Sequence, residues 1–217
     1  MKSVLSTKKL STSQRELLIN ANTSLVDYNA ITINFKAFKA PTFIENAIFT
    51  SQNAFLAIQD SKFIIQNCFC VGEKTKLLLD KNNQKVVKKT EYASELADYL
   101  VKNHKNDSFY FFCGNIRSDE IPSKLKDNTI AFEEIQVYTT SLNPKHFEKQ
   151  FDAVLFFSPS GVRSFFLENN SIQNNAICIG NTTASEAKKY TKNVVISNTT
   201  TVESVLAKTV EIFKKHD

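Results

Sequence analysis

Short apolar blocks alternate with amphipathic stretches along the whole chain. Val4-Leu5, Ile48-Phe49, Cys68-Phe69-Cys70-Val71, Phe109-Tyr110-Phe111-Phe112-Cys113, Val154-Leu155-Phe156-Phe157 and Ala176-Ile177-Cys178-Ile179 are unbroken blocks with polar residues beyond them. Blocks of this length predict strands buried on both faces, as in parallel sheets covered by helices. Helical patterns lie between them. Ser11–Asn20 has Ser11 or Ser13 as an N-cap, and Thr90–Asn103 carries Leu96, Tyr99 and Leu100 on one stripe, with Ala93 beside it. Ser118–Lys126 opens with Ser118-Asp119-Glu120, and Pro122 fits a first turn. Gly161–Asn169, Thr183–Tyr190 and Val202–Lys215 predict three more helices. Strands and helices in this alternation predict an α/β fold with parallel sheets. Two stretches differ by alternating apolar and polar residues: Ile31 to Phe38, and Ile130 through Phe132, Ile135 and Val137 to Thr139. They predict strands with one wet face.

The pattern repeats. With Val4 laid on Phe111, Phe49-Thr50-Ser51 falls on Phe156-Phe157-Ser158; a shift one residue longer lays Val71-Gly72 on Ile179-Gly180. An offset near half the chain predicts two copies of one α/β unit, with a cleft between them as the place for a small molecule. In the same register Ile31 overlays Tyr138. The two alternating stretches are therefore counterparts, expected to pair as a two-stranded bridge.

Composition narrows the function classes. The chain has 217 residues, room for one large domain or two small ones. No apolar run approaches the roughly 18 residues of a membrane span. Met1-Lys2 leads into a short strand and then polar residues, with no signal-peptide core, so a cytoplasmic protein is expected. Cys68, Cys70, Cys113 and Cys178 all sit in apolar runs and are expected to be reduced, buried thiols; no further ligands accompany them at chelating spacing, so no metal site is expected. The net charge of +5 would help attract an anion without demanding one. The densest basic run, Lys85-Val86-Val87-Lys88-Lys89, is expected to be a solvated face. No basic stripe interleaved with aromatic residues suggests nucleic-acid binding.

The candidate chemistry lies in short hydroxyl-bearing turns that follow the apolar blocks: Ser6-Thr7, Thr50-Ser51-Gln52-Asn53, Gly72-Glu73-Lys74-Thr75, Ser158-Pro159-Ser160-Gly161 and Gly180-Asn181-Thr182-Thr183. In an open α/β sheet ligands bind beyond the carboxyl ends of the strands, where helix N-termini offer unpaired N–H groups. Ser and Thr hydroxyls there make seats for carboxylates or phosphates. Any one turn is explained by helix capping alone. Five turns at equivalent places in two halves point to a polyanionic ligand. Gly72, Gly114, Gly161 and Gly180 all lie at or just past the ends of apolar runs, suiting tight strand-to-helix turns or a backbone that a ligand approaches closely. His104, His146 and His216 have no counterparts across the repeat and are expected at the surface. Ser158-Pro159-Ser160-Gly161 lacks the leading glycine of a nucleophile elbow, and neither a Walker loop nor Gly-x-Gly-x-x-Gly occurs. An enzyme of this composition positions its substrate more than it attacks it.

Ile48-Phe49-Thr50-Ser51-Gln52-Asn53-Ala54-Phe55 followed by Val71-Gly72-x-x-Thr75 resembles the first half of the uroporphyrinogen-III synthase family. Phe156-Phe157-Ser158-Pro159-Ser160-Gly161-Val162 followed by Ile179-Gly180-Asn181-Thr182-Thr183-Ala184 resembles its second half, and Thr199-Thr200-Thr201-Val202-Glu203 also fits. The family's usual Thr-Arg after the first strand reads Thr7-Lys8 here. The resemblance implies two flavodoxin-like lobes with parallel sheets joined by a two-stranded β linker. On this chain that means 1–34 plus 141–217 as one lobe, 38–134 as the other, and 31–40 and 134–142 as the linker strands.

It also implies a monomeric lyase of haem biosynthesis that needs no cofactor, acting on hydroxymethylbilane, a linear tetrapyrrole with eight carboxylates. Carried over residue by residue, the resemblance makes Tyr138 the candidate proton donor. Thr7, Lys8, Ser51, Gln52, Asn53, Gly72, Thr75, Gly114, Ser158, Ser160, Gly161, Gly180, Thr182 and Thr183 are the candidate substrate-binding positions. The rival expectation is a non-enzymatic two-lobed binder of small carboxylates.

Overall fold

The computed structural model describes residues 1–172 and 174–215. In chain order the elements are β1 (Lys2–Ser6), α1 (Thr12–Ile19), β2 (Thr23–Asp27), β3 (Ile31–Phe35), β4 (Phe43–Phe49), α2 (Gln52–Leu56), β5 (Ile64–Val71), α3 (Glu73–Lys81) and β6 (Val86–Thr90). They continue with α4 (Ala93–Asn103), β7 (Ser108–Gly114), α5 (Glu120–Asp127), β8 (Ala131–Leu142), β9 (Ala153–Phe156), α6 (Pro159–Phe166), β10 (Asn175–Cys178), α7 (Asn181–Ala187), β11 (Val194–Ile196) and α8 (Val202–Lys215). By internal packing the chain divides into two compact units. The first is Met1–Thr32 with Ser141–Asp217, and the second is Ile33–Thr140.

The first unit has a five-stranded sheet in the order β11-β10-β9-β1-β2, with every recorded pairing parallel. Val4, Leu5, Val154, Leu155, Phe156, Ala176, Ile177 and Cys178 are at most 2% exposed, as strands covered on both faces require. One face packs Leu5, Val154, Phe156 and Cys178 with Val162 and Phe165 of α6; the other packs Val4, Leu155 and Ile177 with Leu18 of α1 and Val205 and Leu206 of α8. Tyr28, just after β2, is buried with its hydroxyl unpartnered among the described residues.

The second unit has a six-stranded sheet in the order β3-β8-β7-β4-β5-β6. Alternate residues divide again between two layers. Phe49, Cys70, Phe112 and Val137 face α2 and α3, while Phe69, Phe109 and Phe111 face α4 and α5. Phe112 is stacked between Phe49, at 5.4 Å, and Phe63, at 5.9 Å.

Strand order carries the internal repeat. Read from β8, the second sheet runs β8-β7-β4-β5-β6, and under the sequence overlay these strands correspond to β2-β1-β9-β10-β11 of the first. The ladder registers do not repeat. Val4 lies opposite Ala153, whereas Phe111 lies opposite Ile48, two residues beyond the overlay of Ala153. The two alternating stretches do pair with each other, and β8 is also built into the sheet. β8 pairs along β7 from Ser108 to Gly114, and β3 is the edge strand beside β8, with the Lys36 N–H donating to Val137 O at 2.9 Å.

The basic run 85–89 overlaps β6, the other edge of this sheet. Lys85 is exposed, as expected of a solvated face, whereas Lys89 pairs with Glu73 and Glu91, and the Lys88 ammonium lies 4.7 Å from the Tyr99 ring centre. Lysines on an edge strand oppose edge-to-edge association. All four cysteines are buried free thiols, and burial pushes Cys68 and Cys178 from the usual 9.0 up to about 12. Among the described residues no helix is long and apolar enough to cross a membrane.

The stacked aromatic layer of the second unit makes a direct prediction. Phe112→Ala should cost about 3–5 kcal/mol in denaturant unfolding, the usual cost of emptying a buried aromatic site. A loss below about 1 kcal/mol would show that Phe112 does not organise that layer.

Candidate functional site

In each unit the chain leaves one sheet position in two directions, which creates a topological switch point. In the first unit β1 connects outward to β2, while β9 leads through β10 to β11, so the switch lies between β1 and β9. In the second unit it lies between β4, which leads to β5 and β6, and β7, which leads to β8. The hydroxyl-bearing turns follow the carboxyl ends of these strands.

At the switch of the first unit Thr7 ends the β1 ladder. Its N–H and its Oγ1 both donate to Leu155 O, at 3.1 and 2.7 Å. The Thr7 side chain is therefore buried and its proton committed, which corrects its expected use as a hydroxyl donor to substrate. Ser158 is the N-cap of α6, accepting from the Gly161 N–H at 3.0 Å. Gly161 lies inside that helix rather than in a strand-to-helix turn. A Cβ there would stand 3.3 Å from Ser158 Oγ and 3.5 Å from Thr7 Oγ1, so its lack of a side chain lets α6 approach β1. Ser160 Oγ accepts from Arg163, whose guanidinium also pairs with Glu186 at 3.3 Å. Lys8 is exposed and carries no ion pair among the described residues. On the next strand Gly180 precedes α7, where Thr182 is exposed and Thr183 is 2% exposed. A methyl of Thr200 lies 3.2 Å from where a Gly180 Cβ would be, which brings the 199–201 loop against this turn.

The second unit brings its residues together more tightly. Ser51 caps α2, its Oγ accepting from the Asn53 N–H at 3.2 Å. Gln52 Nε2 donates to Lys74 O at 2.9 Å, tying the turn after β4 to the turn after β5. There Gly72 takes φ 85°, a left-handed backbone that a side chain would strain, and so starts α3. Thr75 is 4% exposed in that helix. No hydrogen bond among the described residues engages the Thr75 or Thr183 hydroxyl, so both remain uncommitted; the capping serines keep their own O–H to donate.

Tyr138 completes the group. It is 6% exposed and packs in the layer of Phe49, Phe112 and Val137. Its ring lies over Gly114, and its hydroxyl lies near the Ser51 side chain. Burial pushes the phenol above its usual 10.0; the nearby Ser51 hydroxyl pulls the other way, and Cys113 adds to the rise. The phenol therefore stays protonated through neutral pH. Of the sequence-predicted positions, Ser51, Gln52, Gly72, Thr75, Gly114 and Tyr138 are linked through this network and the elements it joins, and Thr7, Ser158 and Gly161 meet at the other switch.

Two residues were not anticipated. Asn115 holds the Thr140 backbone, and Lys74, exposed in the first turn of α3, carries no ion pair among the described residues. Lys74 was readable within its turn; Asn115 had no signal.

Other features do not compete for this role. A cavity of about 300 Å³ in the first unit is lined by Phe147, Phe151, Phe165 and Asn169, ahead of β9 and β10 and so at the opposite strand ends. His104 is half-buried with its ring 5.0 Å from that of Phe69, which corrects its expected surface place; Asp107 holds its Nδ1 at 2.7 Å. His146 is exposed, with Nδ1 at 2.9 Å from Glu168 O, and His216 lies outside the described residues. Among the described residues no group of three or more His, Cys, Asp or Glu could hold a metal ion.

Comparison with known proteins bears on the identity of this fold. A family model described as HEM4, uroporphyrinogen-III synthase HemD, matches residues 25–207. A porphyrin biosynthesis protein HemD of Ruminiclostridium josui is 32% identical over 108 residues; the match takes in 45% of this chain and spans only 21% of that protein's length. A uroporphyrinogen-III synthetase structure from Helicobacter pylori superposes with a TM-score of 0.72 at 16% identity, covering 98% of this chain and 100% of that one. A mutant uroporphyrinogen III synthase from the extremely thermophilic bacterium Thermus thermophilus gives 0.70 at 11% identity, covering 99% and 100%. At such identities the superpositions speak for the fold.

The phenol's surroundings predict the behaviour of one variant. Ser51→Ala removes both the α2 cap and the neighbouring hydroxyl that lowers the Tyr138 pKa. It should cost about 0.5–2 kcal/mol of stability and move the phenol further up in a tyrosinate absorbance titration. A phenol that titrates unchanged would mean that Ser51 does not engage it.

Proposed function

The chain belongs to the uroporphyrinogen-III synthase (HemD) family, and from that premise we propose that it closes hydroxymethylbilane to uroporphyrinogen III with loss of water and inversion of the last pyrrole ring. The observation that carries the reading is the buried Tyr138 phenol beside Ser51 at the second unit's switch point. A protonated donor beside a capping serine, in a unit that also carries the uncommitted Thr75 hydroxyl, suits a substrate that is polyanionic and loses hydroxide.

The chemistry asks little attack from the protein. The pyrrole nitrogens push out the carbinol hydroxyl, leaving a delocalised cationic azafulvene. Which carbon of the last ring then attacks decides the product. Attack at the substituted carbon gives a spiro intermediate that must fragment and reclose inverted. Holding a flexible chain in that geometry is positional work, supplied by seats for its carboxylates. The candidate seats are Ser51, Gln52, Asn53, Gly72 and Thr75 within the second unit, and Ser158, Ser160, Gly161, Gly180, Thr182 and Thr183 within the first. Lys8, and with it Lys74, adds positive charge at the turns. Tyr138 donates a hydrogen bond to the departing hydroxyl.

Thr75→Ala and Thr183→Ala should each lower catalytic efficiency by an amount equivalent to about 1.5–3 kcal/mol, as expected when a hydrogen bond to a charged group is lost. Initial-rate kinetics with both variants folded checks this; unchanged efficiency in both would remove these hydroxyls from the site.

Tyr138→Phe keeps the ring and removes the hydroxyl. Because the pyrrole nitrogens do most of the expulsion, turnover should fall toward the low end of the ~10²–10⁴-fold range for general-acid help, with the product still the type III isomer. The phenol-dependent rate should hold through neutral pH and decline only above the usual tyrosine value of 10.0, since burial raises it. Near-normal turnover by the variant would return Tyr138 to a packing role. A slow variant releasing mainly linear or type I material would make it a residue that positions the last ring.

A further inference from the structure

Tyr138 reaches Ser51 through an irregularity in its strand. Alternation along β8 sends Ile135 and Val137 to the Phe49–Phe112 layer, while Glu134 and Gln136 line a cavity with Cys113 and Arg117. Plain alternation would send Tyr138 after Gln136. The ladder prevents this: Gln136 lies opposite Cys113 but Tyr138 lies opposite Gly114, leaving Val137 as the extra residue. A bulge re-aims the side chain that follows it, and Tyr138 joins Ile135 and Val137 in the same layer. Bulges in parallel pairs are rare, so something must hold this one.

Two consecutive residues at the end of β7 do so. A Cβ on Gly114 would lie 2.5 Å from both Cε2 and Cζ of Tyr138 and 2.9 Å from its hydroxyl oxygen, closer than atoms can approach. The Gly114 backbone is not left-handed. Glycine is required there by the ring and not by φ. Asn115 Oδ1 accepts from the Thr140 N–H at 2.7 Å, and its Nδ2 donates to Thr140 O at 3.2 Å. One side-chain amide thus replaces the ladder just beyond the bulge and pins β8 two residues past Tyr138.

We propose that Gly114 and Asn115 are positioning residues for the Tyr138 hydroxyl, Gly114 by leaving the space its ring fills and Asn115 by clamping the strand that carries it. The proposal rests on the reading of Tyr138 as the reaction's proton donor. It also gives Gly114 a different task from the ligand-facing backbone expected of it. With a methyl at 114 the ring must swing away, and the hydroxyl leaves Ser51. With the amide gone at 115, the end of β8 frays and the ring loses its fixed height over Gly114.

The test uses two readouts on the full chain. The first needs no substrate: the alkaline absorbance titration of Tyr138, isolated by subtracting the same background carrying Tyr138→Phe. Gly114→Ala should bring the phenol down toward the usual 10.0, because it removes the ring from its buried seat. Asn115→Ala should do so to a smaller degree. The second readout is formation of the type III isomer. Gly114→Ala should lower kcat by at least about tenfold with KM changed by less than about threefold. Adding it to Tyr138→Phe should cost little more, since both remove the same hydroxyl. Asn115→Asp keeps the acceptor for the Thr140 N–H and should retain more activity than Asn115→Ala.

Wild-type titration and kcat in both Gly114→Ala and Asn115→Ala would overturn the proposal. So would a Gly114→Ala penalty that stays whole in the Tyr138→Phe background. Asn115 has an exposed side chain, so its variants carry the test if Gly114→Ala does not fold. Normal turnover by Tyr138→Phe alone would sink the role of Tyr138 in the reaction, and with it the kinetic half; the titration then decides whether the two residues seat the ring.

Discussion

Parallel strands buried on both faces leave polar chemistry one place to go, the strand ends, and the rest of this architecture follows from that constraint. Phe49, Phe69, Phe112, Leu155 and Phe156 all lie in strands without exposure. Their backbones are satisfied by parallel ladders and their side chains by helices on either side. Each strand must then hand over to a helix, and the unpaired N–H groups there need partners. Ser51 and Ser158 supply them for α2 and α6. Capping uses the lone pairs of a serine and leaves its proton free. A turn built for folding is thereby half prepared for an anion.

Much of this was legible in the amino-acid order, for physical reasons. Double-sided burial writes itself as unbroken apolar blocks, and six of these mark strand interiors. Edge strands escape that signal. β2 and β11 are mostly half-buried, and β6 carries two lysines, so their composition resembles that of loops. α2 is five residues long, too short for a helical period to show, and Leu77-Leu78-Leu79 in α3 blurs the stripe that would mark it. The repeat foretold the common strand order but not the two-residue difference in ladder register, which depends on how strands slide and not on which residues they contain.

The candidate site divides along the same line. Ser51, Thr75, Ser158 and Thr183 stand at strand ends because their sequence context is a turn after an apolar block. What converges on Tyr138 was hidden. Gln136-Val137-Tyr138 reads as plain alternation, and only the ladder shows that Val137 is passed over. Gly114 reads as a turn glycine until the ring is found where its side chain would be. The commitment of the Thr7 hydroxyl to Leu155 is likewise a matter of register. Local chemistry is written in the order of residues, whereas the contacts that aim it arise only when distant strands meet.

In the proposed reading the chain guides a reactive tetrapyrrole by position, with the neutral Tyr138 phenol as a proton donor. Hydroxymethylbilane also closes unaided, without inversion, so the identity of the product separates guidance from background. The most direct measurement is to incubate the purified protein with hydroxymethylbilane and separate the type I and type III isomers of the product. The account predicts that type III dominates and that its share rises with protein concentration. A product mixture identical to that formed without protein, from a chain shown to be folded, would contradict it.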